Sequence, residues 1–219
     1  MMTVRLGAAG SRPRRVLCLG AHSDDIEIGA GGMVLELRRQ RPRVQFQWVV
    51  FSAAGVRASE ARQSARRFLG PKSHPGIRLF TFRDGFFPAE FADIKEAFEE
   101  LAREFQPDLV LTHTRDDRHQ DHRVVSDLTW NTFRRHLVLE YEIPKWDGDL
   151  GRPNCYLPLS ASAARRKSRL LMQGFASQRS KDWFSPETFL GLMRLRGVEC
   201  RAPGGYAEAY HMRKAIIGW

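Results

Sequence analysis

Two short segments of the sequence hold histidine and aspartate residues at spacings that suit a metal site. The first, residues 21–29, reads AHSDDIEIG, and the second, residues 113–122, reads HTRDDRHQDH. Imidazole and carboxylate groups are ligands that suit a divalent cation such as zinc. A catalytic zinc usually takes three protein ligands and keeps one position for water or substrate. Together the two segments therefore predict a catalytic metal centre.

Both segments begin where a short apolar run ends, and both lead into a helix. The pattern predicts strands over 16–20, 44–51, 77–82 and 109–112, and helices over 26–40, 60–69, 91–105 and from about 122. Strands that alternate with helices of 10–15 residues indicate a mostly parallel sheet. Ligands bind at the carboxyl ends of the strands in such a sheet, so the two segments are expected to meet at one edge.

The predicted fold is a single α/β, Rossmann-like domain over residues 15–219, after a flexible basic lead-in over residues 1–14. Beyond the first half the pattern is less regular. It predicts a strand over 137–143, helices over 160–175 and 186–196, and a final edge strand over 206–212. No repeat or linker divides the chain.

Residue types and positions suggest roles within the two segments. His22, Asp25 and one histidine of the second segment would supply three ligands. Asp24 would then be free to act as general base, and a second histidine could polarise or protonate the substrate. Another interpretation stays open, because Asp24, Asp25 or Asp121 could simply cap the helix that follows it. Two such segments in one chain, each at a strand end, favour the metal site.

Composition restricts the class of protein. The chain has 219 residues, of which 42% are hydrophobic and 27% charged, as expected for a globular domain. No stretch approaches the ~18 uncharged apolar residues of a membrane span, and the first residues lack the apolar core of a signal peptide. The three cysteines, Cys18, Cys155 and Cys200, show no C-x-x-C spacing. Reduced thiols and a cytoplasmic location are therefore expected.

The chain is basic, with a net charge of +10 and a pI of about 10.1. Such a charge could serve an anionic partner. The basic residues, however, occur in scattered pairs and triples and form no tract with interleaved aromatic residues. A solvated arginine-rich surface is the favoured interpretation, and no nucleic-acid partner is expected.

The motifs resemble those of the PIG-L, or LmbE-like, deacetylases. The resemblance rests on Ala21–Glu27 with Gly29–Gly32, and on Asp117–His122; Arg57-x-x-Glu60, Phe82–Gly85 and Tyr206–Tyr210 also look familiar. It extends from about Val16 to Val125. Family members are Rossmann-like, metal-dependent enzymes that remove acetyl groups from molecules containing N-acetylglucosamine. The resemblance therefore implies a metal-dependent hydrolase with a small N-acetylated sugar or glycoconjugate as its substrate.

The resemblance also implies the metal ligands, which would be His22, Asp25 and His122 around one Zn²⁺ per chain. Fe²⁺ or another divalent metal is an alternative. Ser23 and Gln120 stand where relatives have proline. Because proline would fix φ near −65°, we expect these two loops to be less rigid and to retain metal slightly less well.

Catalytic and substrate-binding roles carry over in the same way. Asp24 would be the general base, and His119 would stabilise the oxyanion or protonate the leaving amine. Asp121 would orient His119 through a hydrogen bond. Arg57 and Asp84 match positions that contact the sugar in relatives. A surface arginine at a helix start and a turn residue before a glycine are equally good interpretations of these two.

Two other function classes compete with this one. Two histidines and a carboxylate also form the facial triad of non-haem iron enzymes, and extra carboxylates could hold a second metal for phosphoester hydrolysis. A basic protein with a structural metal could instead bind nucleic acid or another anion. The exact substrate stays open, as does the oligomeric state. Four residues of segment 141–160 could shape the pocket, namely Tyr141, Trp146, Asp147 and Asn154.

Overall fold

The chain forms one α/β domain around a seven-stranded sheet. The computed structural model describes residue 3, residues 14–70 and residues 76–216, so most of the lead-in expected over 1–14 lies outside the described residues. The elements are β1 (Arg15–His22), α1 (Asp25–Gln40), β2 (Gln45–Ser52), α2 (Gly55–Leu69), β3 (Gly76–Leu79), α3 (Phe91–Glu104), β4 (Leu109–His113), α4 (Gln120–Thr132), β5 (Leu137–Tyr141), β6 (Cys155–Leu159), α5 (Ala161–Gly174), α6 (Pro186–Glu199) and β7 (Tyr206–His211).

The strand order in the sheet is β3-β2-β1-β4-β5-β7-β6. The first five strands in sequence pair in parallel, whereas β7 is antiparallel to both of its neighbours. This arrangement confirms the mostly parallel sheet. Because β1 and β4 are adjacent, the loops that follow them leave the sheet side by side.

Helices cover both faces of the sheet. On one face α1, α2 and α5 pack together, and their apolar side chains surround Trp48 and Tyr141. On the other face α3 packs beside α4 over Leu17, Leu19 and Val110. The strands are buried on both faces, which explains their continuous apolar composition. Among the described residues no helix is long and apolar enough to cross a membrane.

A close approach fixes α1 against the sheet. A Cβ atom on Gly29 would collide with the ring of Tyr141 in β5. The hydroxyl of Tyr141 donates a hydrogen bond of 2.6 Å to the carbonyl oxygen of Leu19 in β1, so the ring cannot move aside freely. Gly29 thus allows α1 to lie directly over β5, whose Tyr141 is tied to β1, the strand that ends at His22.

The structure corrects four details of the predicted elements. The strand over residues 206–212 is not an edge strand, because β7 lies between β5 and β6. The edge is β6, which the sequence analysis missed; it contains Pro158, and an edge strand tolerates a residue without an N–H. Helix α2 begins at Gly55, five residues before the predicted start. Its first turn opens on a glycine and leaves Val56 exposed, so no apolar periodicity marks it in the sequence. Strand β3 ends at Leu79 and not at residue 82.

Candidate metal centre

The carboxyl ends of β1 and β4 bring the two predicted segments together. His22 is the last residue of β1, and Asp25 is the first residue of α1. His119 occupies the N-cap position of α4, and His122 lies in the first turn of that helix. Strand ends and helix starts are rigid positions for a side chain, so the site is held by the sheet itself.

Three ligand atoms converge at this edge. Nδ1 of His22 lies 3.1 Å from Nε2 of His122, and each of these nitrogens lies 3.5 Å from Oδ2 of Asp25. The outer nitrogens of both rings face carboxylates. Nε2 of His22 is 3.1 Å from Asp121, and Nδ1 of His122 is 2.9 Å from Asp117.

This hydrogen bonding determines which nitrogens can bind a cation. When both rings are neutral, each carries one N–H, and the nearby carboxylates favour the tautomers that donate it outward. The inner nitrogens then present lone pairs to one another and to Asp25. Three facing lone pairs repel each other unless a positive charge lies between them. The donor set therefore fits a metal ion.

Electrostatics lead to the same conclusion. Burial opposes a charge on His22, yet Asp25, Asp121 and Asp84 outweigh it and raise the pKa of His22 well above its usual value. Burial lowers the pKa of His122 to about 4. Burial would raise the pKa of Asp25, but the surrounding histidines hold it well below its ordinary range. The cluster favours one positive charge at its centre, whether a proton or a metal ion supplies it.

Asp24 lies beside this centre and is bound by Arg57. Nη2 of Arg57 donates a 2.5 Å hydrogen bond to Oδ1 of Asp24, and Nη1 lies 3.5 Å from Oε2 of Glu60. Asp24 is only 4% exposed. Burial raises the pKa of Asp24 and Arg57 opposes that rise. Asp24 is therefore a buried carboxylate with a raised pKa, and it is not one of the predicted metal ligands. Such a group suits the role of general base. Arg57, predicted to bind substrate, lies in the site as the partner of Asp24.

Asp121 differs from its predicted role. Its carboxylate accepts hydrogen bonds from the backbone N–H groups of Gly85 at 2.6 Å and Phe87 at 3.2 Å, in addition to facing His22. The predicted side-chain bond to His119 is not found within the described residues. His119 caps α4, and its Nδ1 accepts the backbone N–H of Asp121 at 3.2 Å. Asp121 thus orients His22, while the helix terminus orients His119.

The remaining predicted residues also lie at this edge. The ring of His119 stacks on that of His122 with centroids 4.6 Å apart, and burial lowers the pKa of His119. Oδ1 of Asp84 lies 3.1 Å from Nε2 of His22, although Asp84 is largely exposed. Gln120, in place of the proline of relatives, donates a 3.0 Å hydrogen bond to the carbonyl of Gly85.

Sequence reasoning missed three residues around the centre. Asp117 holds His122, and its other oxygen accepts the backbone N–H of His119 at 2.8 Å and faces Lys145 at 3.0 Å. His113 is fully buried, and its Nε2 lies 3.2 Å from Asp25. His113, Asp25 and His122 also form a group that could hold a metal. Asp117 lies inside the quoted motif, whereas no local signal marks Lys145.

Of the four residues singled out in segment 141–160, one is an aromatic residue that is largely exposed. Tyr141 is fully buried, and Asn154 bonds to the backbone of Met212. Trp146 is 68% exposed, although its indole N–H donates to Asp182 at 2.8 Å. Asp147 lies 3.7 Å from Lys145. Only Trp146 offers the open aromatic face that a pocket-shaping role requires.

Comparison with known proteins gives a family match. Residues 17–133, more than half of the chain, match the family model described as PIG-L: GlcNAc-PI de-N-acetylase. The matched region contains both metal-binding segments. No curated protein sequence matches the chain.

Several solved structures share the fold. N,N'-diacetylchitobiose deacetylase from Pyrococcus horikoshii aligns with a TM-score of 0.71 and 19% identity, over 91% of this chain and 84% of its own. A40926 pseudoaglycone deacetylase Dbv21 aligns with a TM-score of 0.65 and 21% identity, over 93% and 99%. GalB, the 4-carboxy-2-hydroxymuconate hydratase from Pseudomonas putida KT2440, aligns with a TM-score of 0.73 and 18% identity, over 94% and 98%. One fold thus serves both deacetylases and a hydratase.

Proposed function

The chain belongs to the PIG-L family of GlcNAc-PI de-N-acetylases, and from that premise we propose that it is a metal-dependent hydrolase. Its reaction would remove the acetyl group from an N-acetylglucosamine unit or a related N-acyl sugar. The observation that carries the proposal is the convergence of His22, Asp25 and His122 within 3.5 Å of one another, with the carboxylate of Asp24 beside them.

His22, Asp25 and His122 would hold one divalent cation. Zinc is the first choice, because two imidazoles and one carboxylate are ligands that it accepts in open catalytic sites. Iron(II) is the alternative. A metal bound there would acidify a water molecule and polarise the acetyl carbonyl.

The protein's own side chains would carry the protons. Asp24 would accept a proton from the attacking water, since its carboxylate lies beside the predicted ligands and, among the described residues, is hydrogen-bonded by Arg57 alone. His119 would stabilise the developing oxyanion and donate a proton to the amine that leaves. Its Nδ1 is occupied by the helix terminus, so Nε2 would face the substrate.

Arg57 and Asp84 would contact the sugar. Both lie beside the centre, and each is bound to a site residue, Arg57 to Asp24 and Asp84 to His22. Two of the similar structures are named as deacetylases of N,N'-diacetylchitobiose and of the A40926 pseudoaglycone. These names support an acetylated sugar within a larger molecule as the substrate class.

The cytoplasm is the compartment that we propose. Cys18, Cys155 and Cys200 are all free thiols in the structure. Free thiols suit a reducing compartment. Cys18 is fully buried in β1, where a thiol packs as a small apolar group.

The reaction class is tested by the release of free amine from a panel of N-acetylglucosaminides. The wild-type protein is loaded with zinc, and metal content is measured on the same samples. Asp24→Ala is expected to lose most activity and to keep its metal. His122→Ala is expected to lose both. His119→Ala should retain metal and lose about two orders of magnitude in kcat, because one oxyanion donor contributes ~3 kcal/mol.

Asp127→Ala serves as the control, because Asp127 lies in the same helix as His122 but is exposed, and among the described residues its side chain forms no ion pair or hydrogen bond with a predicted site residue. Equal metal content in Asp24→Ala and His122→Ala would contradict the ligand assignment.

Two metals per chain, with hydrolysis of phosphoesters and no amine release, would support the dinuclear alternative. A second group of residues also lies close enough together to hold a metal, namely His22, Asp84, His119 and Asp121. Hydration of a double bond without amine release would place the protein with the hydratase.

A further inference from the structure

The two helical layers of the domain differ sharply in charge. Helix α2 carries four arginines and one glutamate, and α5 carries three arginines, one lysine and no acidic residue. On the other face of the sheet, α3 carries five acidic residues against two basic ones. The positive charge of these helices therefore lies on one side of the sheet. The scattered positions of the basic residues in the sequence do not reveal this.

Arginines of the two helices lie near each other where α2 packs against α5. Helices α2 and α5 pack against each other, and Nη1 of Arg67 donates a 3.1 Å hydrogen bond to the carbonyl of Gln173. Gln173 lines a shallow groove together with Arg165, Arg169 and Arg179. We name Arg66, Arg67, Arg165, Arg169 and Arg179 the α2–α5 basic face. All five are exposed, and none forms an ion pair with any residue that the structure describes.

The concentration of like charges on this surface does not stabilise the fold. Arg165 and Arg169 are four residues apart on one helix, where like charges destabilise the helix. The buried cation of α5, Lys167, is by contrast paired with Glu208 at 2.6 Å. Exposed arginines without acidic partners, arranged on one face, indicate a binding surface for an anion.

Apolar residues between the arginines indicate which anion. Met172, Pro186 and Leu190 line the same groove as the arginines. The exposed aromatic residues among the described ones, such as Phe86 and Trp146, lie on other loops, so the face lacks the stacking rings typical of single-stranded nucleic-acid sites. Arginines around an apolar floor suit the boundary between headgroups and acyl chains.

We propose that the α2–α5 basic face binds the surface of an anionic lipid bilayer. Helix α2 links this face to the metal centre, because its first turn carries Arg57, which bonds to Asp24. The proposed membrane binding does not depend on the proposed deacetylation.

Binding is tested by sedimentation of the full-length protein with lipid vesicles. One set contains phosphatidylcholine alone, and the other contains phosphatidylcholine mixed with phosphatidylglycerol. The test variant combines Arg66→Gln, Arg165→Gln and Arg169→Gln. Each basic residue near an anionic surface strengthens binding about fivefold, so we expect the triple variant to bind the mixed vesicles about a hundredfold more weakly.

The matched control removes the same charge elsewhere and combines Arg43→Gln, Arg103→Gln and Arg134→Gln. These exposed arginines lie outside α2 and α5, so binding should change little. Equal weakening of both triples would show that net charge alone is responsible and would overturn the proposal. So would the absence of wild-type binding to mixed vesicles, or equal binding to phosphatidylcholine alone.

A competition with single-stranded RNA tests whether the face binds nucleic acid instead of lipid. RNA that binds more tightly than the vesicles, and loses affinity only in the test variant, would assign the face to nucleic acid and overturn the lipid proposal. Far-UV circular dichroism checks that both triples are folded. Amine release from a water-soluble N-acetylglucosaminide should be the same in both triples and the wild type. Because vesicle binding is measured without turnover, its failure is distinct from a failure of the proposed reaction.

Discussion

Replacement of Asp117 by asparagine should weaken metal binding although Asp117 is not a predicted ligand. One carboxylate oxygen of Asp117 accepts the N–H of His122 at Nδ1, and the other accepts the backbone N–H of His119 and faces the ammonium group of Lys145. All three partners of Asp117 are therefore donors. Asparagine has only one acceptor oxygen, so its amide group must face one of them.

The amide is expected to face His122. In the opposite orientation, the NH₂ group of the asparagine would face two donors, the backbone N–H of His119 and the ammonium group of Lys145. In the orientation towards His122 it faces only one. With the NH₂ group towards His122, Nδ1 must accept and the ring proton moves to Nε2. That atom lies 3.1 Å from Nδ1 of His22, at the position the metal requires. The variant thus protonates the ligand atom itself.

The expected loss is 10–100-fold in metal affinity, the range measured for partners that orient a metal-binding histidine. Competition with a chromogenic chelator at fixed pH gives the affinity, and metal analysis after dialysis gives the stoichiometry. Asp149→Asn is the matched control, because Asp149 also pairs with Lys145 but bonds to no histidine within the described residues. Wild-type affinity in Asp117→Asn would refute the assignment of Nε2 of His122 as the ligand atom.

Three further perturbations test the base, the helix contact and a buried ion pair. Arg57→Gln removes the cation that lowers the pKa of Asp24. Because a base must be ionised, the acid limb of the kcat/KM profile should move to higher pH; an unmoved limb would exclude Asp24 as the base. Gly29→Ala should lower the free energy of unfolding by about 1–3 kcal/mol in urea titrations, since its methyl group meets a buried tyrosine ring. Lys167→Met should lower it by about 3–5 kcal/mol, because a carboxylate stays buried without its cation. The same change at exposed Arg166 should cost little, and equal losses at both positions would contradict the argument.

The sequence by itself predicted the architecture well where the signal is local. Apolar runs and helical spacing located β1, α1, β4 and α4 within a few residues. The prediction failed at β6, whose five residues include a proline and show no alternation. It also placed β7 at the edge, because strand order in the second half depends on pairing between distant residues and leaves no trace in a short window.

The sequence also predicted which residues come together at the site, because histidine and aspartate residues and their positions after strand ends are visible along the chain. His22, Asp25 and His122 were named from motif and resemblance, and they lie within 3.5 Å of one another.

Only the tertiary structure decided how each group is oriented. Asp121 faces His22 and not His119, and Lys145 reaches Asp117 from a loop after β5. Such contacts join residues that are 28 to 99 positions apart, and hydrogen bonds to backbone N–H groups exist only once the loops are folded. The same holds for charge, since the arginines of α2 and α5 form one face only when the helices pack. Residue type is a property of the sequence, whereas the partner of each polar atom is a property of the packed chain.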